Sequence, residues 1–583
     1  MTMQASTIGA TGRRAFAAPG FSLKIVILLI LAVLIVAPLL RVVGETLTLA
    51  SIGAWTDVTW GRLAPNLLWR PLGNTLVLGL GAASGCVLVG GFLAWLVTMT
   101  DVPMRRTLGV MATLPFMIPS FATALAWGAL FRNGRVGGQI GYLQAIGIEV
   151  PDWLSWGMSP SLLVLVAHYY SLTFAVIAAA LATVNSDLIE AAQLTGAPRR
   201  RIFAGIVLPV VMPAIIAGGS LAFAGAASNF AVPALLGLPV RMQTLATRLY
   251  GMIEIGQTAR GYVIAILLIL VSGFFLWLGN RIATSRRSYA TITGKGGRAK
   301  RFRLGAARWP LFAAAMTICI LTTVVPILVL ISSSFSPSSS ELLQNWTLHY
   351  WTGVSTPTIA QGQAGISHNP AILSAIGVTI GVGLIVALTT TVLGIAIAYV
   401  LARHGKGALG EAINQLAFLP LLMPGIAFGA AYIALFGAPI GPVPALYGTI
   451  TLLVLAATAY LIPFAVQTAR SVIQQVGGEL DESARLTGAS LPRRLVAITI
   501  PLAVRGVVAG TLIVFVKMIR DLSLVVLLFS PTTPLLSVLA YRYASEGFDQ
   551  FAHAITVVIL VLSVAATLIA NRLQAKAQPW LKE

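Results

Sequence analysis

Residues 187–209 read DLIEAAQLTGAPRRRIFAGIVLP, and residues 479–501 read ELDESARLTGASLPRRLVAITIP. Setting Glu190 on Glu482 brings the rest into register at one offset of 292. Ala192 then meets Ala484, Leu194 meets Leu486, Thr195 meets Thr487, Gly196 meets Gly488, Ala197 meets Ala489, Ile206 meets Ile498 and Pro209 meets Pro501. Each copy is a polar, basic interruption in an otherwise apolar chain. Glu190-Ala191-Ala192 and Glu482-Ser483-Ala484 open a short helix whose small residues let a partner surface come close. The glycine six positions after the glutamate predicts the end of that helix, because glycine enters the left-handed cap at no steric cost. Arg199, Arg200 and Arg201, or Arg493 and Arg494, follow as a cationic cluster. Pro209 and Pro501 then stand in the first turn of the next apolar run, where a missing N–H costs nothing. A solvated loop that only holds topology would not need to match at so many positions, so the pair reads as a docking surface.

The pattern E-A-A-x3-G-x9-I-x-L-P resembles the cytoplasmic EAA loop of permeases of binding-protein-dependent ABC importers. The first copy fits in full; the second carries Ser483 for the second-position alanine and Ile500 for leucine. The resemblance extends over most of both halves. It implies that each loop forms a coupling helix seated in a groove of a cytoplasmic ATPase subunit, with Glu190, Ala191, Ala192, Gly196, Arg200 and Pro209 in one copy. Glu482, Ala484, Gly488, Arg493 and Pro501 serve in the other.

The composition agrees with a membrane protein. Of 583 residues 57% are hydrophobic and 9% charged, and the mean hydropathy is +0.90, whereas soluble domains run near 45–50% apolar and about 25% charged. The formal net charge of +21 would suit a nucleic-acid binder, but in a membrane protein basic loops on one side are the commoner cause. Cys86 and Cys319 both lie in apolar runs, so no disulfide framework or metal–thiolate site is readable. Runs of spanning length fall near 24–43, 73–98, 109–131, 161–184, 208–237 and 262–281, and again near 309–334, 372–402, 413–437, 446–469, 501–529 and 553–571. That predicts about twelve spans, six per half. Further echoes, such as Phe174-Ala175-Val176 and Phe464-Ala465-Val466, make this an internal duplication in parallel orientation. The expected division is a first repeat over 1–284, a basic linker over 285–308, rich in Gly, Ser, Lys and Arg, and a second repeat over 309–583. Arg13-Arg14 before the first run hints at a twin-arginine signal, but no clean cleavage site follows, so the first run is expected to stay as a span.

Lysine and arginine crowd into the N-terminus, the C-terminus and the loops near 99–108, 185–207, 281–308, 403–412 and 470–500. The stretch Phe335–Ala371 has neither. By the positive-inside rule both termini and both repeated loops are expected in the cytoplasm, with contact to membrane lipid.

No G-x4-G-K-[ST] phosphate loop occurs, so the chain does not supply a nucleotide-binding fold of this kind; nor is there an HExxH, paired CxxC or nucleophile-elbow motif. His349 and His368 share the 335–371 loop with Glu341 and Tyr350, where a metal-handling role stands against an ordinary solvated loop. In the eleventh run Lys517, Arg520 and Asp521 interrupt apolar sequence. Charges there cost about 2.5–3.5 kcal/mol each on insertion scales, so they should face protein or a water-filled path. Lys517 and Asp521 are spaced to share one helix face. Either they neutralise each other structurally or they line a path that keeps one positive charge for an anionic or chelated substrate. The first half has Ser228-Asn229-Phe230 at the same place, and similar tails follow, Thr247-Arg248-Leu249-Tyr250 and Tyr541-Arg542-Tyr543, as candidate gate positions.

Taken together, the chain resembles the fused, two-copy permeases of ferric-iron importers, and nearly as closely those assigned to 2-aminoethylphosphonate. The resemblance implies the type I importer fold, all-α and integral to the bacterial inner membrane, with two pseudo-symmetric six-helix bundles around one path lined by Asn229, Lys517, Arg520 and Asp521. It also implies an external binding protein that delivers substrate and two ATPase subunits that bind the ATP. No cofactor, metal or nucleic acid is expected on this chain. Iron-type members tend to be acidic at both equivalent positions, and Asn229 departs from that, which leaves thiamine or a polyamine open as well. A secondary transporter would also show repeats and embedded charges, but would not need two matched basic loops.

Overall fold

A computed structural model describes residues 21–48, 51–184, 186–285, 302–357, 360–475 and 478–577. The paired arginines of the N-terminus and most of the 285–308 linker lie outside the described residues. Among those described, the chain is helical, and nine helices are long and apolar enough to cross a membrane. Three bent pairs raise the total to twelve if each counts as one span.

Two runs expected to be straight spans, 109–131 and 413–437, prove to be such pairs. Arg105–Met117 and Ser120–Phe131 meet at 94°, and Ala408–Leu422 and Gly425–Phe436 meet at 111°. The breaks fall at Ile118-Pro119 and Met423-Pro424. Proline disfavours the helical region for the residue before it, and Ile118 and Met423 are extended accordingly, with ψ of 130° and 136°.

By its contacts the chain divides into two compact units that cut across the sequence halves. One consists of Met1–Thr48, Ser374–Leu535 and Val561–Glu583; the other of Leu49–Leu373 and Leu536–Leu560. Each sequence half thus gives its first membrane helix to the unit built mainly from the other half. In the first unit, Phe21–Leu31 packs on Ala408–Phe418 and Ala37–Thr46 packs on Gly425–Phe436, the two arms of a bent pair. In the second unit, Arg308–Cys319 packs on Arg105–Thr113 and Val325–Ser334 packs on Ser120–Phe131, which are the arms of the other bent pair.

Prolines shape these helices at matched places. Five single π turns, Ala32–Val36, Pro65–Trp69, Phe203–Val207, Ile320–Val324 and Leu495–Thr499, each end two residues before a proline: Pro38, Pro71, Pro209, Pro326 and Pro501. A proline ring clashes with the carbonyl four residues earlier and cannot donate to it. Widening the helix by one residue relieves the clash. The carbonyl of Leu34 is the one that Pro38 leaves without its helical donor, and the Tyr432 hydroxyl donates to it at 2.6 Å. In the second unit Tyr170 reaches the hydroxyl of Thr322, four residues before Pro326, at 3.0 Å. Tyrosines from two different helices therefore fasten the exchanged helix of each unit at its π turn.

Within each unit, glycines set the closest helix contacts. A Cβ on Gly90 would lie 2.6 Å from the carbonyl oxygen of Tyr170 and 2.9 Å from the amide of Phe174. One on Gly394 would lie 2.6 Å from the Cβ of Ala465 and 3.0 Å from its carbonyl carbon. Arg70–Met99 thus rests directly on the backbone of Met158–Leu181, and Pro370–His404 on that of Ile450–Gln475. Such close approach of small residues is how helices gain packing energy in lipid.

Candidate functional site

The repeated loops fold alike. Ser186–Leu194 and Gly478–Leu486 are nine-residue helices, and Gly196 and Gly488 follow in the left-handed region with φ of 76° and 82°. The Ala197 amide donates to the Ala192 carbonyl at 3.1 Å and the Gly196 amide to that of Gln193 at 3.0 Å. In the second copy the Ala489 amide donates to Ala484 at 3.0 Å. This is a Schellman cap, and it needs the glycine. Thr195 and Thr487 close the same turn by donating to the carbonyls of Ala192 and Ala484, both at 2.9 Å.

The sequence-read residues fall on this frame in order. Glu190, Ala192 and Ala484 are half-buried, while Ala191, Gly196, Arg200, Pro209, Glu482, Gly488, Arg493 and Pro501 are exposed. Ile189 and Ile202 anchor the first loop in the core formed with Leu93, Met99, Val184 and Val207. Arg494, which corresponds to Ile202, is buried in the second copy. Leu194 and Leu486 were missed as site residues although the alignment paired them. Each is 89% exposed, at the tip of its helix and one turn from the cap. An apolar side chain held that far into solvent at the same position twice is the strongest sign that the surface is meant to be covered. The signal available in the sequence was a leucine kept in both copies of a polar loop.

The second constellation lies where the following helix stops. The runs 208–237 and 501–529 were expected to be continuous spans. Instead the helices end at Ser228 and Arg520. Asn229 and Asp521 then take nearly identical extended conformations, with φ, ψ of −72°, 120° and −73°, 129°. Asn229 Oδ1 accepts from the Val232 amide at 2.9 Å, and Asp521 Oδ1 accepts from the Leu524 amide at 2.8 Å. Each side-chain oxygen holds a turn by accepting from the amide three residues on, a local bond that Asn and Asp make alike. The difference between the two halves is therefore a difference of charge on one shared scaffold.

Around Asn229 the amide nitrogen donates to Ser120 Oγ at 2.9 Å and to the Tyr169 hydroxyl at 3.3 Å. Around Asp521 the helix Gly425–Phe436 comes in so closely that a Cβ on Gly425 would stand 3.2 Å from both the Leu524 amide and the Tyr460 hydroxyl. Lys517, Arg520 and Asp521 are half-buried, and the Lys517 ammonium sits 4.5 Å from the centroid of the Phe464 ring. They do not share one uninterrupted helix face, because the helix ends between Arg520 and Asp521.

The two candidate gate tails meet at the residue after Asn229. Phe230 lies 4.9 Å from the Tyr250 ring and 5.4 Å from that of Tyr541. Burial raises the pKa of Tyr250 and Tyr541 above the ordinary phenol value, so both stack as neutral rings near neutral pH. The histidines of the 335–371 loop serve locally: His349 Nε2 pairs with the Gln363 carbonyl at 2.9 Å and His368 Nδ1 with Ser367 Oγ at 2.9 Å. Among the described residues no three His, Cys, Asp or Glu side chains are placed to hold a metal ion.

Comparison with known proteins gives the arrangement its family. A probable ABC transporter permease protein, y4fN of Sinorhizobium fredii, is 25% identical over 554 residues, covering 91% of this chain and 92% of that protein. The ferric transport system permease protein FbpB of Actinobacillus pleuropneumoniae is 25% identical over 472 residues, which are 79% of this chain and 64% of FbpB. A putative 2-aminoethylphosphonate transport system permease protein, PhnU of Salmonella typhimurium, is 27% identical over 216 residues, 36% of this chain and 74% of its own. The sequence profile of the binding-protein-dependent transport system inner membrane component matches twice, over 86–288 and 391–582, and takes in both loops and both helix breaks. This chain, two permease repeats in one polypeptide, belongs to that family.

Proposed function

We propose that the chain forms the translocation path of an ATP-driven importer, with one ATPase subunit seated on each repeated loop. The observation that carries this reading is the duplicated helix and Schellman cap, each presenting an outward leucine beside Arg200 or Arg493. The two permease repeats are 1–284 and 309–583, joined by the 285–308 linker, and the basic loops and both termini face the cytoplasm of a bacterium. ATP-driven closure of the two ATPase subunits brings the Glu190 and Glu482 loops together and switches the path between inward- and outward-facing states, a two-state rigid-body change. An external binding protein supplies the substrate. Asn229, Lys517, Arg520 and Asp521 line the path, and the aromatic group around Phe230 closes its outer end.

Ferric iron is the proposed substrate, on the likeness to FbpB. The likeness to PhnU and the uncharged Asn229 favour a second reading, 2-aminoethylphosphonate, whose phosphonate would suit the net positive charge of Lys517, Arg520 and Asp521. Reconstitution with the ATPase and the binding protein tests both. ATP hydrolysis stimulated by ferric ion, and not by 2-aminoethylphosphonate, is expected, and Gly196→Asp with Gly488→Asp should abolish it. Stimulation by the phosphonate alone would move the substrate assignment. ATPase subunits that never bind the chain would overturn the importer mechanism.

A further inference from the structure

Four cations and a histidine converge on a single cavity in the first unit. Lys24, Arg403, His404, Lys406 and Arg470 line a space of about 550 Å³ together with one acidic side chain, Glu411. That volume lies within the range of about 300–1,000 Å³ usual for small-molecule sites. The cavity sits where the helix Phe21–Leu31 begins, where Pro370–His404 ends, and beside Arg470 near the end of Ile450–Gln475. It is therefore at the end of the membrane helices that carries the Glu482 loop. Lys24, Arg403, His404 and Arg470 are half-buried, and the Lys24 ammonium donates to the Lys406 carbonyl at 3.4 Å across the mouth.

Basic residues at helix ends are common because they fix topology, and that role needs no convergence. The corresponding turn of the other unit is built differently. There the turn after Arg70–Met99 is filled by the chain itself. The Phe302 amide donates to the Met99 carbonyl at 2.8 Å, the Asp101 amide to the Phe302 carbonyl at 3.3 Å, and the Leu304 amide to Asp101 Oδ1 at 2.8 Å. An acidic residue and a strand-like contact occupy that turn. In the first unit Arg403 and His404 close the helix Pro370–His404 and Lys406 follows, with Gly407 in the left-handed region at φ 92°.

The geometry points to an anion site that takes a phosphate group, either the headgroup of an anionic phospholipid or a free phosphate. Basic pockets between membrane helices on the headgroup level recruit such groups, each cation adding to the attraction. Occupancy ties the exchanged first helix, through Lys24, to the bent pair that begins at Ala408. None of the residues lining the site belongs to the repeated loops or to the Asn229 and Asp521 breaks.

Two measurements on the purified full-length chain test it. In the first, the chain is placed in nanodiscs of mixed phosphatidylglycerol and phosphatidylcholine, released, and weighed intact by native mass spectrometry. In the second, inorganic phosphate is titrated against the lipid-free chain in detergent while its melting temperature is followed. The variants are Arg403→Gln/Arg470→Gln, the single Lys24→Gln, and a control of equal charge loss, Arg281→Gln/Arg308→Gln. The expected result is one retained phosphatidylglycerol, held roughly thirtyfold less tightly by the double pocket variant and less tightly by Lys24→Gln, with the control unaffected. Phosphate stabilisation lost only in the pocket variants, without lipid retention, would support the site and name free phosphate as the source. Equal behaviour of pocket variants and control in both measurements would overturn the proposal. A pocket variant that does not fold is replaced in the comparison by Lys24→Gln.

Discussion

At the scale of single residues, Asn229 and Asp521 hold the same backbone turn with the same oxygen in the two halves. Removing that oxygen should loosen both turns: Asn229→Ala and Asp521→Ala are each expected to cost at least about 1 kcal/mol, read by thermal unfolding in detergent. Asp521→Asn keeps the oxygen that holds the turn but removes the carboxylate charge next to Arg520 and Lys517, so it should cost less than Asp521→Ala without being neutral. The charge is a separate question with a separate readout. If the path reading is right, Lys517→Ala/Asp521→Ala lowers substrate uptake in a stably expressed protein; unchanged uptake would leave these charges a structural role only. Gly196 and Gly488 give a second comparison. Nothing lies within 4 Å of a Cβ at either position, so alanine there meets no neighbour and costs about 1–2 kcal/mol of left-handed strain alone. Asparagine, which tolerates that region, should restore most of the loss. These two glycines were legible in the sequence because the physics of the cap is local. The stop at Asn229 and Asp521 was not, since the sequence beyond them, Phe230–Leu238 and Leu522–Phe529, stays apolar and hydropathy reads on through the break.

Elements are set by prolines and glycines acting at a distance from the site. Pro119 and Pro424 stood in plain view, yet hydropathy alone drew straight spans through them, because it counts apolar residues and ignores backbone geometry. The π turns were hidden for a related reason. A proline announces that one carbonyl must find another donor, but only the fold reveals Tyr432 as the donor to Leu34. Close helix contact gives the prediction at this scale. Gly90→Ala and Gly394→Ala place a methyl group under 3 Å from neighbouring atoms and should each destabilise the protein by about 1–3 kcal/mol, the usual cost of overpacking. Gly73→Ala, with nothing within 4 Å, should be neutral or slightly stabilising in the same unfolding measurement.

For the whole molecule, the fact that sequence reading could not reach is the exchange of first helices between halves. Phe21–Thr46 and Gly305–Ser334 both carry a long apolar window, and a face that suits lipid also suits any helix, so composition does not name the partner. The consequence can be tested: two chains, 1–290 and 300–583, coexpressed without a covalent link, should copurify as one complex. Deleting residues 1–48 should weaken the complex without abolishing it, because the unit built on Ser374–Leu535 loses its exchanged helix while Val325–Ser334 still packs on Ser120–Phe131. The central claim, that the Glu190 and Glu482 loops are where ATPase subunits seat, is reached most directly by cross-linking. The chain's own cysteines, Cys86 and Cys319, are buried, so Leu194→Cys and Leu486→Cys would be the reactive thiols in an otherwise silent background. With a short thiol cross-linker and an ATPase carrying a single cysteine in its groove, each variant is expected to form a one-to-one adduct that grows or fades with ATP. An adduct at neither position, from a complex that still hydrolyses ATP in response to substrate, would contradict the account.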